Sequence, residues 1–418
     1  MSGGLHSMVV AKLPYGRGFV EIELERGSVV ELGHIGRIRD IEGGLLNKLE
    51  NPTSSEKLSR IVRNKRVLII VTDKTRPTPN RALLPPLTKY IEDSGGSIKI
   101  LIANGLHEPM SKQQILEFLG EDIYHHFEVV NHNAYDSSSI LNLGETSYGT
   151  PIQVNRLVMD SDIVIGTGSV EPHFFAGYSG GRKIILPGVA GSLSIMRNHG
   201  FKMINSPYAV YGSLERNPIH LDMLEFMKRT KLDFIVNVTL LRKDVTGVFA
   251  GHPIKTHLDA VSYLDTYVRV RVKPADIVIT TNGGYPLDRN LYQTVKAMAT
   301  GELTVKKNGV IIVLSECIDG ITHKEFHKLI VDREPQEILD FIRKNEPLPD
   351  QWEAHIMARV MKKAKIILVS RIPERRVEEV GLIPSKDADE ALELAERIVG
   401  KDSSVLIIPE GPYTIPET

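Results

Sequence analysis

The chain has 418 residues, enough for two or three domains at about 150 residues each. Lysine plus arginine number 51 and aspartate plus glutamate 52, and the net charge of -1 gives no electrostatic basis for binding nucleic acid or an anionic membrane. A single cysteine, Cys317, excludes an internal disulfide and any cysteine-built zinc or iron–sulfur site. No apolar run approaches the ~20 residues needed to span a bilayer. The first residues lack a basic stretch followed by an apolar one, so no signal peptide is expected and the cytoplasm is the expected location.

In chain order, short apolar β-branched runs alternate with helix-patterned stretches. Strands are expected at 67–71 and 98–103, with a helix at 81–93 between them. Strands at 162–165 and 234–240 follow, separated by a helix at 218–230. A helix at 257–267 leads to Lys273-Pro274 and a strand at 277–280. Beyond it come a helix at 289–299, a strand at 310–314, helices at 335–344 and 354–363, a strand at 366–369, a helix at 389–399 and a strand at 405–408. The strands lack polar alternation, as strands buried on both faces do. The pattern predicts an α/β protein of two α/β domains with mainly parallel sheets. The expected boundaries are 1–272, 273–400 and a tail at 401–418 that returns to the first domain. Asp162-Ile-Val-Ile and Asp276-Ile-Val-Ile form a weak internal echo, each reading into a glycine-containing loop.

Ligands of α/β sheets collect in loops after the carboxyl ends of strands. Four such loops are rich in polar residues: 72–79, 104–109, 166–183 and 282–286. Parallel strands would bring them to one interdomain cleft. Gly180-Gly181 with Arg182 and Lys183 reads as a phosphate cradle. The Walker A spacing is absent, and Glu171 stands where a dinucleotide fingerprint needs its third glycine. His323 and His327 are spaced to share a helix face, though no metalloprotease pattern accompanies them. His125, His126 and His132 read as solvated, and Cys317 as inert packing.

Together the loops resemble those of the lactate racemase family. The resemblance rests on Asp73-Lys-Thr-Arg76-Pro, Gly105-Leu-His107, Arg197-Asn-His199-Gly, Tyr292-Gln293-x-x-Lys296 and the run from Glu171-Pro-His173-Phe-Phe-Ala-Gly to Tyr-Ser-Gly-Gly-Arg-Lys183. It implies racemisation or epimerisation of a 2-hydroxy carboxylic acid with a nickel-pincer nucleotide, a pyridinium mononucleotide whose two sulfurs and a ring carbon hold nickel. It further implies covalent attachment at Lys183, nickel ligation by His199 (expected outside the core), and cofactor contacts from Asp73, Lys74, Thr75 and Arg76. His107 and His173 would be the proton donor/acceptors. Gln293 and Lys296 would hold the substrate carboxylate, with Tyr292 and Trp352 as pocket walls. The partners implied are the small-molecule acid and the proteins that make the cofactor, with no nucleic acid or membrane.

The residue types suit that chemistry. The α-hydrogen of a 2-hydroxycarboxylate is hard to remove as a proton, because the carboxylate is already negative. Its removal as hydride by an electrophilic cofactor avoids the dianion, and two histidines then serve the hydroxyl proton. Two other readings share the cofactor: a 2-hydroxy acid redox enzyme, and a non-catalytic carrier. A carrier would need no histidine pair.

Overall fold

The computed structural model describes residues 8–418. Two six-stranded sheets organise it. The first sheet runs in the order Asp244–Gly251, Phe234–Leu241, Ile163–Val170, Arg66–Thr72, Ser97–Ala103 and Glu128–Asn131. All neighbours are parallel except the first pair, a hairpin edge. The second sheet runs Ile383–Ser385, Lys365–Val369, Val305–Leu314, Ala275–Thr281, Val405–Ile408 and Ser28–Val29, parallel throughout. The expected α/β class with mainly parallel sheets is the observed one, and each of the eight expected strands lies in one of these sheets. Buried runs such as Leu68, Ile69 and Ile70 explain why the strands carry no polar alternation.

The Asp-Ile-Val-Ile echo has a structural counterpart. Asp162 Oδ2 accepts from the Arg66 N–H at 2.9 Å, and Asp276 Oδ2 accepts from the Ser404 N–H at 2.9 Å. Each aspartate thus fastens the start of the neighbouring strand in its own sheet.

The domain division differs from expectation at both ends. Strands Val9–Tyr15 and Gly18–Leu24 form an antiparallel hairpin that lies on the second sheet, not the first. Ala11, Leu13, Ile22 and Leu24 pack against Ile277, Ile279, Val310 and Ile312. The alternating burial of Val9–Tyr15 and Gly18–Leu24 gives the hairpin an apolar face that needs such a cover. The tail is shared: Val405–Ile408 is interior to the second sheet, while Ile415–Glu417 pairs with Arg269–Arg271 at the interdomain crossing.

A continuous apolar cluster joins the two sheets' facing layers, from Phe175 and Ile185 to Tyr292, Ala297 and Met357. The cleft that holds the candidate residues lies along this seam. His132, expected in solvent, is fully buried and bonds to the Ala190 carbonyl and Asn155. Burial pushes its imidazole down to about 4, so the neutral ring serves as a strut. Among the described residues, no helix is long and apolar enough to cross a membrane.

Candidate active site

Asp73 follows strand Arg66–Thr72 and is buried, whereas Lys74, Thr75 and Arg76 are exposed. Its Oδ1 accepts from the Thr75 N–H at 3.2 Å and the Thr75 hydroxyl at 2.7 Å, which shapes the turn. Its Oδ2 lies 2.7 Å from His107 Nδ1. Burial pushes the Asp73 carboxyl up, but His107, Arg76 and Thr75 outweigh it and hold the group below the ordinary carboxylate range. An ionised Asp73 accepts only, so His107 Nδ1 carries the proton and Nε2 is left as a base. The structure therefore gives Asp73, expected at the cofactor, a role in orienting His107. Gly105 (φ +56°) and the Asn104 side chain, tied to the His132 carbonyl at 2.8 Å, fix the loop that presents His107.

His173 sits on the two-residue strand Pro172–His173, paired with Gly177–Tyr178. Gly177 has φ +78°, and a Cβ there would lie 2.2 Å from the Ser213 carbonyl oxygen, so the sharp return requires glycine. The Ala176 N–H donates to His173 Nδ1 at 3.3 Å, and Lys183 Nζ lies 3.3 Å from Nε2. With Nδ1 accepting, a neutral ring carries its proton on Nε2, the atom that faces Lys183 Nζ. Burial, with Arg182, Arg76 and Lys296 nearby, drives the Lys183 ammonium well below its usual range. His173 is pushed down by burial and by the same cationic surroundings.

The phosphate-cradle reading of the glycine loop does not hold. The Gly181 N–H donates to Asn237 Oδ1 at 2.9 Å, and the Lys183 N–H to the Gly180 carbonyl at 3.2 Å. Arg182 points inward, 1% exposed, and donates to the Ala176 carbonyl at 2.8 Å. The glycines serve close packing: a Cβ on Gly181 would lie 2.7 Å from the His257 ring. Lys183 is the residue of this loop that meets His173.

His199 caps the C-terminus of helix Ser192–Asn198 and is 5% exposed, contrary to the expected position outside the core. Its ring meets Phe175 edge-on at 5.0 Å and Trp352 at 5.2 Å. Its Nδ1 is buried without a hydrogen-bond partner. Asp222, bonded to Asn198 Nδ2 at 2.7 Å, anchors this helix end. His323 and His327 do not converge on a metal. His323 precedes helix Lys324–Ile330 and stacks on Tyr292 at 3.8 Å, whereas His327 faces Arg376. Among the described residues, no group of three His, Cys, Asp or Glu side chains is arranged to hold a metal.

The second domain supplies helix Leu291–Thr304, capped by Asn290. Gln293 and Lys296 share one face, with Lys296 Nζ 2.6 Å from Gln293 Oε1. Burial and Arg76 push the Lys296 ammonium down, and Glu353 and Glu171 pull it up. Arg76 belongs to the first domain, so its charge bears on Lys296 from the other domain. Tyr292 donates to Asp350 Oδ1 at 2.9 Å. Trp352 lies at the start of helix Gln351–Lys363 and reaches across to His199. Direct contacts thus join His107 to Asp73, His173 to Lys183, His199 to Trp352 and Gln293 to Lys296.

Three groups here escaped the sequence reading. Burial pushes the Glu171 carboxyl up to about 7, against Lys296 and Arg76. Glu353 is buried, and Asp350 accepts from the Tyr292 hydroxyl. No spacing marks Glu353 and Asp350, because the contacts that give them meaning are tertiary, whereas Glu171 opens the run that ends at Lys183 but is given no role there. The fourth polar loop, 282–286, docks the N-terminal hairpin: the Tyr285 N–H donates to the Gly16 carbonyl at 2.7 Å.

Comparisons with known proteins cover both domains. The family model for the lactate racemase N-terminal domain matches residues 15–212, and that for the C-terminal domain matches 270–415. A lactate racemase from Thermoanaerobacterium thermosaccharolyticum is 38% identical over 98% of this chain and 99% of its own. One from Lactiplantibacillus plantarum is 36% identical over 97% and 99%. The solved lactate racemase apoprotein from Thermoanaerobacterium thermosaccharolyticum superposes with a TM-score of 0.93 at 37% identity, covering 98% of this chain and all of that one. A Thermotoga maritima protein shares the fold at a TM-score of 0.65 and 19% identity, over 93% of this chain and all of its own. On these matches the chain belongs to the lactate racemase family and is an isomerase.

Proposed function

We propose that this chain racemises or epimerises a 2-hydroxy carboxylic acid, with lactate the first substrate to test because the curated relatives bear that name. The observation that carries the reading is the complementary state of two histidines. His107 donates a hydrogen bond from Nδ1 to Asp73 and leaves Nε2 free, whereas His173 accepts at Nδ1 and keeps its proton on Nε2. One base and one acid are what a hydroxyl proton needs if it leaves on one side and returns on the other. Gln293 and Lys296 offer an amide and an ammonium to the carboxylate. Tyr292 and Trp352 wall the cleft, and its position between domains excludes water from the reacting centre.

The reading includes a nickel-pincer nucleotide, and the residues present fit such a group. Lys183 would attach it through a neutral amine, and His199 would give the metal an imidazole nitrogen that has no other partner. Lys74, Thr75 and Arg76, exposed beside the cleft, would hold its polar end. A lone protein donor suits a metal whose other donors arrive with the nucleotide. When bound, the group would supply an electrophilic acceptor for the α-hydrogen. The acid and the proteins that make the cofactor are the partners this reading requires.

The test uses protein produced together with the cofactor-making proteins. Each pure enantiomer of lactate and of larger 2-hydroxy acids is incubated with it and resolved by chiral chromatography. Interconversion of at least one acid is expected, with nickel bound in proportion to protein. His107→Ala and His173→Ala should each slow racemisation by about 10²–10⁴-fold. Nickel-loaded protein that interconverts none of the acids would sink the reading.

A further inference from the structure

The hairpin that carries His173 is short: Pro172 and His173 pair with Tyr178 and Gly177. Two-stranded ladders are marginal on their own, so its geometry depends on outside anchors. Its ends are fixed within the first domain. The Ser179 N–H donates to the Glu171 carbonyl at 2.9 Å, and Asn217 Nδ2 donates to the Phe175 carbonyl at 2.8 Å. The strand opposite His173 is fixed from elsewhere. The buried Tyr178 donates its hydroxyl to Asp265 Oδ1 and accepts from Arg269 Nη2 at 2.8 Å. The same Nη2 donates to the Gly212 carbonyl at 2.7 Å, and the Gly212 N–H donates to the Gly177 carbonyl at 3.1 Å. Arg269 Nε donates to Asp265 Oδ2 at 2.7 Å, and Nη1 donates to Glu417 Oε1 at 3.0 Å. A Cβ on Gly212 (φ +70°) would lie 2.9 Å from Nη2, so the guanidinium sits tight on that backbone.

We propose that Arg269, on the strand where the chain crosses between domains, is a positioning residue that sets where His173 stands. The proposal rests on the reading of His173 as a proton donor/acceptor. Both residues paired with the His173 strand are reached from one guanidinium nitrogen, Tyr178 directly and Gly177 through Gly212. A guanidinium presents its donors in one rigid plane, so holding Nε and Nη1 on Asp265 and Glu417 also fixes the direction of Nη2. Tyr178 and Gly177 follow that direction, and His173 follows them across the ladder. Proton transfer is sensitive to such placement, since a shift of about 1 Å can cost about 10²-fold. Arg269 itself needs no contact with the substrate.

The test is a double-mutant cycle in cofactor-loaded protein, read as racemisation of lactate, beside NMR of isotope-labelled histidine rings in protein free of cofactor. Arg269→Met should lower kcat about 10–100-fold and leave KM within about twofold, because the carboxylate contacts stand on another helix. Arg269→Lys keeps the charge without the fork and should not restore the rate. In the His173→Ala background Arg269→Met should cost no further activity, whereas in the His107→Ala background it should keep its full factor. The His173 ring signals, assigned from His173→Ala, should move in Arg269→Met, and the His107 signals should not. Tyr178→Phe keeps the buried ring, repeats both measurements with one hydroxyl removed, and should show a smaller loss of the same kind. The proposal is overturned by equal factors in both histidine backgrounds, by full rescue in Arg269→Lys, by an unmoved His173 signal, or by failure of both Arg269→Met and Tyr178→Phe to fold. A moved His173 signal with racemisation unchanged, in Arg269→Met and in His173→Ala alike, instead puts the reading of His173 at fault.

Discussion

The loops at 166–183 and 282–286 leave equivalent places in the two sheets. Strands Ile163–Val170 and Ala275–Thr281 are both interior, and each has an aspartate at its start, Asp162 or Asp276, that fastens a neighbouring strand. Both loops hold a glycine doublet at positive φ: Gly180-Gly181 and Gly283-Gly284. Their uses differ. The first brings Lys183 to His173 in the interdomain cleft, and the second seats the N-terminal hairpin, with Arg17 3.9 Å over the Tyr285 ring. A glycine doublet therefore reports how closely backbone and neighbours approach. A ligand is reported by the side chain left over once the loop's own N–H groups are spoken for, which here is Lys183.

The largest effect that would sharpen this contrast is expected at Lys183. Lys183→Ala should abolish retained cofactor, read by intact mass spectrometry of holo-protein, while the unfolding temperature stays near wild type. A mass adduct persisting in that variant would break the comparison at its first loop. Next in size is Asp73→Asn, which removes the acceptor that fixes the His107 tautomer. A loss of about 10²-fold or more in kcat is expected, with the fold intact. The sign of its pH dependence follows from the lowered Asp73 carboxyl: the Asp73–His107 bond persists above the ordinary carboxylate range and is lost only as pH falls through the lowered value. An acid limb of kcat near neutrality must then come from other groups.

Smaller effects should appear in the second loop. Gly284 has φ +71°, and a Cβ there would lie 3.1 Å from the Gly16 carbonyl oxygen. Gly284→Val should cost about 1–3 kcal/mol of stability, measured by thermal unfolding, without changing kcat of the folded enzyme. A fall in kcat at unchanged stability would place that loop in the catalytic cleft. Smallest of all is Asp276→Asn, whose expected cost is about 1 °C in unfolding temperature at neutral pH. Bonds from Ser404 and Lys306 pull the Asp276 carboxyl down to about 2 from 3.8. Its contribution is therefore full above the ordinary value and is lost as pH falls through the lower one, so wild type and variant should converge there.

The sheet strands that could be read from sequence are the ones whose burial is two-sided, such as Ile277–Ile279, because an unbroken β-branched run needs no context to be seen. The N-terminal hairpin was not legible. Its strands are buried on one face only, and what covers that face is more than 250 residues away in sequence. Strand Asp244–Gly251 was hidden by its glycines. In the site, His107, His173, Lys183 and His199 stand out because each follows a strand or helix end within a distinctive string. Glu353 and Asp350 sit in an ordinary helix start, and only packing against helix Leu291–Thr304 gives them meaning. Arg182 is the reverse case. Its neighbours in sequence suggest a ligand, but its guanidinium is used up on internal groups such as the Ala176 carbonyl.

The makeup of the second sheet dictates an order of assembly on the ribosome. The first sheet draws all its strands from residues 66–251, so it can form once that stretch has emerged. The second takes an edge from Ser28–Val29 and its neighbour from Val405–Ile408, at opposite ends of the chain. The hairpin at Val9–Leu24 is made first, yet the apolar surface that covers it is completed last. Throughout synthesis that hairpin carries an uncovered apolar face, and a nascent chain stalled before residue 405 holds a finished first domain beside a second one that cannot close.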